Sequence, residues 1–264
     1  EMQRSLVGSE MCIRDSRAGM QYQESLSNRD VGTCILSISD LHIPFQKSIE
    51  TFSEYAGKID ILQINGDLVD AQAISRFNKV YRKSPMEEIL IARQYMIDLI
   101  EILQPKKVIV NYGNHDLRFQ NYLAKNLDTD LLELMPKTSL ELIFVDGFNH
   151  YNKELHTKVH YDPLIDVFKD SGIEIVYNDT WFSFVGETIF VHPLAYSSGM
   201  LKTAEKAYRY FKDNDYFFDN IVMAHTHKTG HYDIGNSVIY EQGCCCETSK
   251  MDYADGKLTP SQRE

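Results

Sequence analysis

Short apolar runs, each cut off by a polar or glycine-containing segment, alternate along this chain with stretches whose apolar residues return every three or four positions. The first pattern predicts strands and the second amphipathic helices. Strands are expected at residues 33–38, at the start of 61–70, and at 107–112, 181–185, 188–191, 220–223 and 237–240. A crossover helix is expected over 46–56, with Ile49, Phe52 and Tyr55 on one face. Ser84-Pro85-Met86-Glu87 is a capping box with proline at the first helical position. The helix it opens has the stripe Ile89, Met96, Leu99 and Leu103, and Pro105 stops it. A further helix over 199–211 would turn Leu201, Ala204, Tyr208 and Phe211 inward. Residues 123–177 are the least readable, with helical fragments at 121–135 and 164–169, a short apolar run at 140–145, and His150, His156 and His160 expected to be surface or satisfied histidines.

Strands alternating with helices predict an α/β fold with right-handed crossovers, and ligands in such folds gather beyond the carboxyl ends of the strands. That is where the polar interruptions fall. The first strand runs into Asp40-Leu41-His42, and residues two apart in extended chain share a face. The second, Ile61-Leu62-Gln63-Ile64-Asn65, ends in Gly66-Asp67-Leu68-Val69-Asp70. The third ends in Gly113-Asn114-His115-Asp116, the fourth in His192-Pro193, and the fifth in Ala224-His225-Thr226-His227. Taken singly, each has an ordinary explanation; Asn-Gly-Asp, for instance, is common turn chemistry. Taken together they supply carboxylate, amide and imidazole donors at five strand ends. Histidine nitrogens with carboxylate and amide oxygens suit Mn²⁺, Fe, Zn²⁺ or Ni²⁺ better than a calcium cage or a cysteine-zinc site.

Composition narrows the class. The formal charge of −11 argues against a broad electrostatic footprint for duplex nucleic acid. Four cations, Arg76, Lys79, Arg82 and Lys83, nevertheless follow the Asp67 loop with Phe77 and Tyr81 between them, and Arg76 and Lys79 are candidate contacts for an anionic substrate. Arg118, just past Asp116, is a third such candidate, with a surface ion pair as its competing explanation. No apolar run approaches the about 18 residues of a membrane span, so no membrane association is expected. Five cysteines, three of them adjacent at 244–246, do not form a disulfide framework, which makes a reducing cytoplasm the expected compartment.

Residues 1–19 lack periodicity, and 5–16 resemble translated sequencing-adapter text; they are expected to be a non-native or disordered extension, with Met20 the natural start. Residues 20–264 are expected to form one domain, since no linker or repeat divides them, and the natural chain is expected to continue past Glu264. The sequence carries no signal for oligomeric state.

In this order the strand-end motifs resemble the calcineurin-like metallophosphoesterase family from Thr33 to Gly243, as in a phage or prokaryotic member. The resemblance implies a sandwich of two mixed β-sheets flanked by helices, with a dinuclear metal site at the strand ends. It implies one ion on Asp40, His42, Asp67 and His227 and a second on Asp67, Asn114, His192 and His225, with Mn²⁺ the first choice and Asp67 the bridge. His192 has no neighbouring motif to check it. His115 matches the family's acid/base histidine, with Asp116 orienting it. The implied reaction is hydrolysis of a phosphate ester by a hydroxide between the two ions. A phosphodiester in a nucleic acid or cyclic nucleotide is the leading substrate, a nucleotide or phosphoprotein monoester the alternative. From another class, a metal-binding interaction module without catalysis is opposed by the retention of His115 and every expected ligand. Two departures stand out: Ala224 replaces the usual glycine before His-x-His, and Gly243-Cys244 occupies the place of a Gly-Ser turn, with the cysteines expected in the core or behind the ligands.

Overall fold

The computed structural model describes residues 32–75, 82–197, 199 and 201–251. The expected extension at 1–19, the start at Met20, the candidate contacts Arg76 and Lys79, and the chain end lie outside these residues.

Three parallel strands, β1 (Ile35–Ile38), β2 (Ile61–Asn65) and β3 (Lys107–Asn111), lie side by side. Between β1 and β2 runs a short 3₁₀ helix, Ile49–Tyr55, within the predicted crossover. Helix α1 (Pro85–Leu103) joins β2 to β3 and carries the predicted capping box: Ser84 Oγ accepts from Glu87 N, and Glu87 accepts from Ser84 N. Its stripe of Ile89, Met96, Leu99 and Leu103 is buried against the sheet, and Gln104 ends it in the left-handed region before Pro105. Helix α2 (Arg118–Asn126) follows β3.

The stretch that was hardest to read contains a two-stranded hairpin, β4 (Phe148–Asn152) with β5 (Thr157–Tyr161), and β6 (Glu174–Tyr177), which completes the first sheet in the order β1-β2-β3-β6. The apolar run 140–145 is not extended; it forms helical turns at Ser139–Glu141 and Leu142–Asp146 that bury Leu140, Ile143 and Phe144 in the core. His156 and His160 are exposed and His150 half-buried, as expected.

The second sheet begins with the predicted hairpin, β7 (Phe182–Val185) and β8 (Thr188–Val191), and continues through β9 (Asn220–Met223), β10 (Thr229–Ile234) and β11 (Ser237–Gln242) in the order β10-β11-β9-β8-β7. It is mixed, as expected. The first sheet, also expected to be mixed, is instead parallel throughout, because a crossover returns the chain to the same end of the sheet before each new strand. Helix α3 (Lys202–Asp213) covers the second sheet with Thr203, Ala204, Ala207 and Phe211; Leu201, expected inward, is exposed because it precedes the helix in a left-handed turn.

The two sheets meet through buried amides. Asn65 Nδ2 donates to the carbonyls of Val191 and Val222 at 3.1 and 3.3 Å. Asn111 Nδ2 is within 3.2 Å of Asn65 Oδ1 and Phe190 O and 3.0 Å of Ser183 Oγ, which in turn donates to Gln63 Oε1. Asn178 Nδ2 donates to Asn111 Oδ1 at 3.0 Å. Asn65 and Asn111 are the last residues of β2 and β3, so this polar seam lies directly beneath the loops that carry the candidate ligands.

Candidate metal centre

Beyond the sheet, the loops after β1 and β2 run together: Asp40 N donates to Gly66 O, His42 N to Asp67 O and Ile43 N to Leu68 O, all at 3.0–3.1 Å. Asp40 and His42 both reach the site, with Asp40 Oδ1 3.6 Å from His42 Nε2, but not through the alternation of an extended strand. Both adopt positive φ, 51° and 45°, and so do Asp67, His225 and His227 at 53°, 77° and 55°. Aspartate and histidine tolerate this region better than most residues, yet each such residue costs about 1 kcal/mol or more and clusters of them mark functional sites. Ala224 is not among the residues with positive φ, which is why alanine serves where glycine is usual.

Every ligand expected from the sequence converges here. His192 Nε2 lies 3.3 Å from Asp67 Oδ2 and 3.2 Å from Asn114 Oδ1, and His225 Nδ1 lies 2.6 Å from the same Asn114 oxygen. On the other side, His227 Nε2 is 3.2 Å from Asp40 Oδ1 and 3.0 Å from His42 Nε2, which is 3.8 Å from Asp67 Oδ2. Asp67 thus stands between Asp40, His42 and His227 on one side and Asn114, His192 and His225 on the other. Hydrogen bonds behind the ring set orient the donors: His192 Nδ1 is 2.9 Å from Asn65 O, and Asp40 Oδ2 accepts from Ser39 Oγ at 2.7 Å and from His225 N at 3.1 Å.

The residues present fit divalent cations. Asp40 Oδ1 is buried without a hydrogen bond, facing only imidazole nitrogens. Gly66 and Gly113 leave room that nothing larger could share, since a Cβ on Gly66 would sit 2.6 Å from His192 Nδ1, and one on Gly113 would overlap the Asp67 carboxylate. Charge tells the same story. Burial opposes ionisation of Asp40 and Asp67, but surrounding imidazoles, chiefly His227 and His192, hold both carboxyls well below their usual range. In return, against the pull of burial, the carboxylates raise His192 and His227 to about 9 and His42 to about 10. Such a nest of buried anions demands positive charge, from protons or from cations.

One role moves. Asp116, expected to orient His115, instead accepts the backbone N–H groups of Asp67 and Gly113, both at 2.8 Å, and so clamps the two ligand loops; burial and the neighbouring Asp67 raise its carboxyl to about 7. The residue beside His115 is Asp70, whose Oδ1 lies 2.9 Å from His115 Nδ1 and 3.4 Å from His42 Nδ1. The sequence offered it as the second aspartate of Gly-Asp-x-x-Asp, but spacing alone gave no way to choose between it and Asp116. Arg118 is no simple surface cation: Nη1 donates to Asp70 O at 2.7 Å and Nη2 to His115 Nε2 at 2.9 Å. Because a guanidinium can only donate, the His115 ring is neutral with its proton on Nδ1, in line with burial, His42 and Arg118 pulling its pKa down.

Cys244 and Cys246 are buried beside His227, in the core as expected. Cys246, against burial and with help from His227, draws the Cys244 thiol down to about 5.

Among the described residues, no helix is long and apolar enough to cross a membrane. No curated protein matches the chain. Among solved structures, vacuolar protein sorting 29 from Cryptosporidium parvum is similar at 17% identity over 81% of this chain and 76% of its own, with a TM-score of 0.39. A predicted phosphoesterase from Streptococcus pneumoniae is similar at 13% identity over 80% and 72%, TM-score 0.28. An archaeal phosphodiesterase is similar at 15% identity over 80% and 84%, TM-score 0.33. Identification rests instead on the family model for calcineurin-like phosphoesterases, which matches residues 35–229 and so contains every candidate ligand. The chain belongs to the calcineurin-like phosphoesterase family, a family of metal-dependent hydrolases.

Proposed function

We propose that this phosphoesterase acts on phosphodiesters, with Mn²⁺ or a similar ion held by Asp40, His42, Asp67 and His227 and another by Asp67, Asn114, His192 and His225. When bound, such cations polarise phosphoryl oxygen and lower the pKa of water. The protein's own part is charge and position. Asp70 holds His115 by Nδ1, leaving Nε2 toward Arg118 at the rim. A phosphate entering there meets the guanidinium first and draws it from His115; the freed Nε2 can take a proton from solvent water and pass it to the leaving oxygen as the ester bond breaks.

The observation that favours a diester is Tyr196. It is half-exposed with its ring 6.0 Å from that of His225, so it borders the site and offers a face for a second ester group, such as a nucleobase. The expected contacts Arg76 and Lys79 would add charge on the approach. Turnover of bis(p-nitrophenyl) phosphate and p-nitrophenyl phosphate with Mn²⁺, alongside metal analysis of the purified protein, tests the proposal. Preference for the diester is expected, with Tyr196→Ala raising KM for it; preference for the monoester would overturn the substrate assignment in favour of a phosphomonoesterase.

A further inference from the structure

The cysteine run is placed against the phosphoesterase centre by the backbone. Cys245 N donates to Ser39 O at 3.0 Å, beside Asp40, and Lys47 N donates to Cys245 O at 2.9 Å. Gly243, with φ of 80°, starts the turn that delivers the thiols. Ligand atoms of His227, Cys244 and Cys246 all lie within 4.8 Å of one another, and all three residues are buried. Cys246 Sγ donates to the Met251 thioether at 3.4 Å, and Met251 is 2% exposed, so a fourth soft donor borders the group. His227 faces both groups: its Nε2 lies toward Asp40 and His42, and its ring also interacts with the Cys244 thiol.

Buried cysteines usually serve as small apolar residues. Packing alone does not require two thiols, a thioether and an imidazole to meet. Four donors each about 2.3 Å from a tetrahedral zinc stand about 3.8 Å apart, a spacing that the 4.8 Å limit on His227, Cys244 and Cys246 and the 3.4 Å Cys246–Met251 contact both allow. Thiolate and thioether sulfur select soft cations over Mn²⁺ or Mg²⁺, so this donor set differs in kind from the sulfur-free one of imidazoles and oxygens beside it. We propose that His227, Cys244, Cys246 and Met251 form a separate site for a soft d¹⁰ cation of the Zn²⁺ class, joined to the phosphoesterase centre through the imidazole the two share.

Cd²⁺ is the probe, because its thiolate charge-transfer absorbance reports sulfur coordination alone and is blind to ions on aspartate and histidine. Mn²⁺-loaded protein titrated with Cd²⁺ should develop this band and saturate at one equivalent. The band should survive replacement of Cys12 and Cys34 by serine and vanish in Cys244→Ala or Cys246→Ala. Absence of the band in the native sequence, or its loss with Cys12 and Cys34 rather than with Cys244, would overturn the site. Should the buried cysteine variants fail to fold, Met251→Leu keeps the volume and both thiols. It should weaken Cd²⁺ binding about tenfold, and unchanged affinity would refute the four-donor arrangement. The readout does not depend on hydrolysis, so its failure leaves the proposed reaction untouched.

Discussion

Gly113→Ala puts the geometry of the shared carboxylate to a direct test. A Cβ at this position would overlap Asp67 Oδ1 and lie 2.6 Å from Asp67 N and 2.8 Å from its Cγ. A change of rotamer at Asp67 does not relieve this, because the backbone nitrogen is crowded too. That nitrogen is also tied to Asp116 Oδ2, as is the N–H of Gly113 itself. The two loops must therefore part by roughly 1 Å, a displacement of the kind that lowers turnover about 10²-fold when it falls on a reacting constellation. Overpacking of this sort also costs about 1–3 kcal/mol of stability. Gly230→Ala supplies the control, since nothing lies within 4 Å of its Cβ and its φ is not positive. Metal content, thermal unfolding and turnover of a chromogenic diester should be measured on both. Gly113→Ala is expected to lose metal and about 10²-fold in turnover while remaining folded, with Gly230→Ala unchanged. If Gly113→Ala kept its metal and turned over within about threefold of the parent, the crowding argument and the central position of Asp67 would both be wrong.

Three further outcomes follow from the same structure. His115→Ala should cut diester turnover by about 10²-fold or more while leaving bound metal unchanged, because the ring touches Asp70 and Arg118 and is not in the proposed ligand set; undiminished activity refutes its role. Glu88 is buried on α1 and its Oε1 accepts from Gln72 N at 3.0 Å, but burial raises its carboxyl to about 7, so the folded state holds a proton that the unfolded chain releases near pH 4.5. Stability should fall as pH rises through this window, by up to about 3 kcal/mol, and denaturant titrations should show Glu88→Gln gaining on the parent from pH 4.5 to 8; a pH-independent difference would contradict this. Chelation should lower the unfolding temperature, since saturation at about 100 times Kd contributes about 2.7 kcal/mol, and a midpoint unmoved by chelator would speak against bound ions.

The chemistry of the site was more legible than the fold around it. Asp67, Asn114 and His225 sit at strand ends where a polar residue interrupts an apolar run, and that contrast survives in the sequence whatever the loop conformation. The conformations themselves were not legible: Asp40 and His42 meet the site through left-handed backbone, not through the alternation of an extended strand. Nor was the choice between Asp70 and Asp116, because which carboxylate reaches His115 depends on how two distant loops abut. The β4–β5 hairpin escaped for a different reason. Its residues, Phe148-Asn149-His150-Tyr151-Asn152 against Thr157 to Tyr161, are largely exposed, and a strand that buries little leaves a weak hydrophobic pattern. Capping at Ser84 was read correctly because a helix start is local, needing only four residues and their own side chains.

The asparagines and glutamine joining the sheets have a consequence for how the ions are chosen. Asn65 and Asn111 donate across to Val191, Val222, Ser183 and Phe190 of the other sheet, so slippage of either sheet by a single residue would strand these dipoles in the dry interior. The distance between the row of donors ending the first sheet and the row ending the second is therefore dictated by protein architecture before any cation arrives. Selection among metals then becomes a matter of which radius and coordination number suit a rigid gap, and variants of Asn65 or Asn111, which touch no cation, are the places where that preference could be retuned.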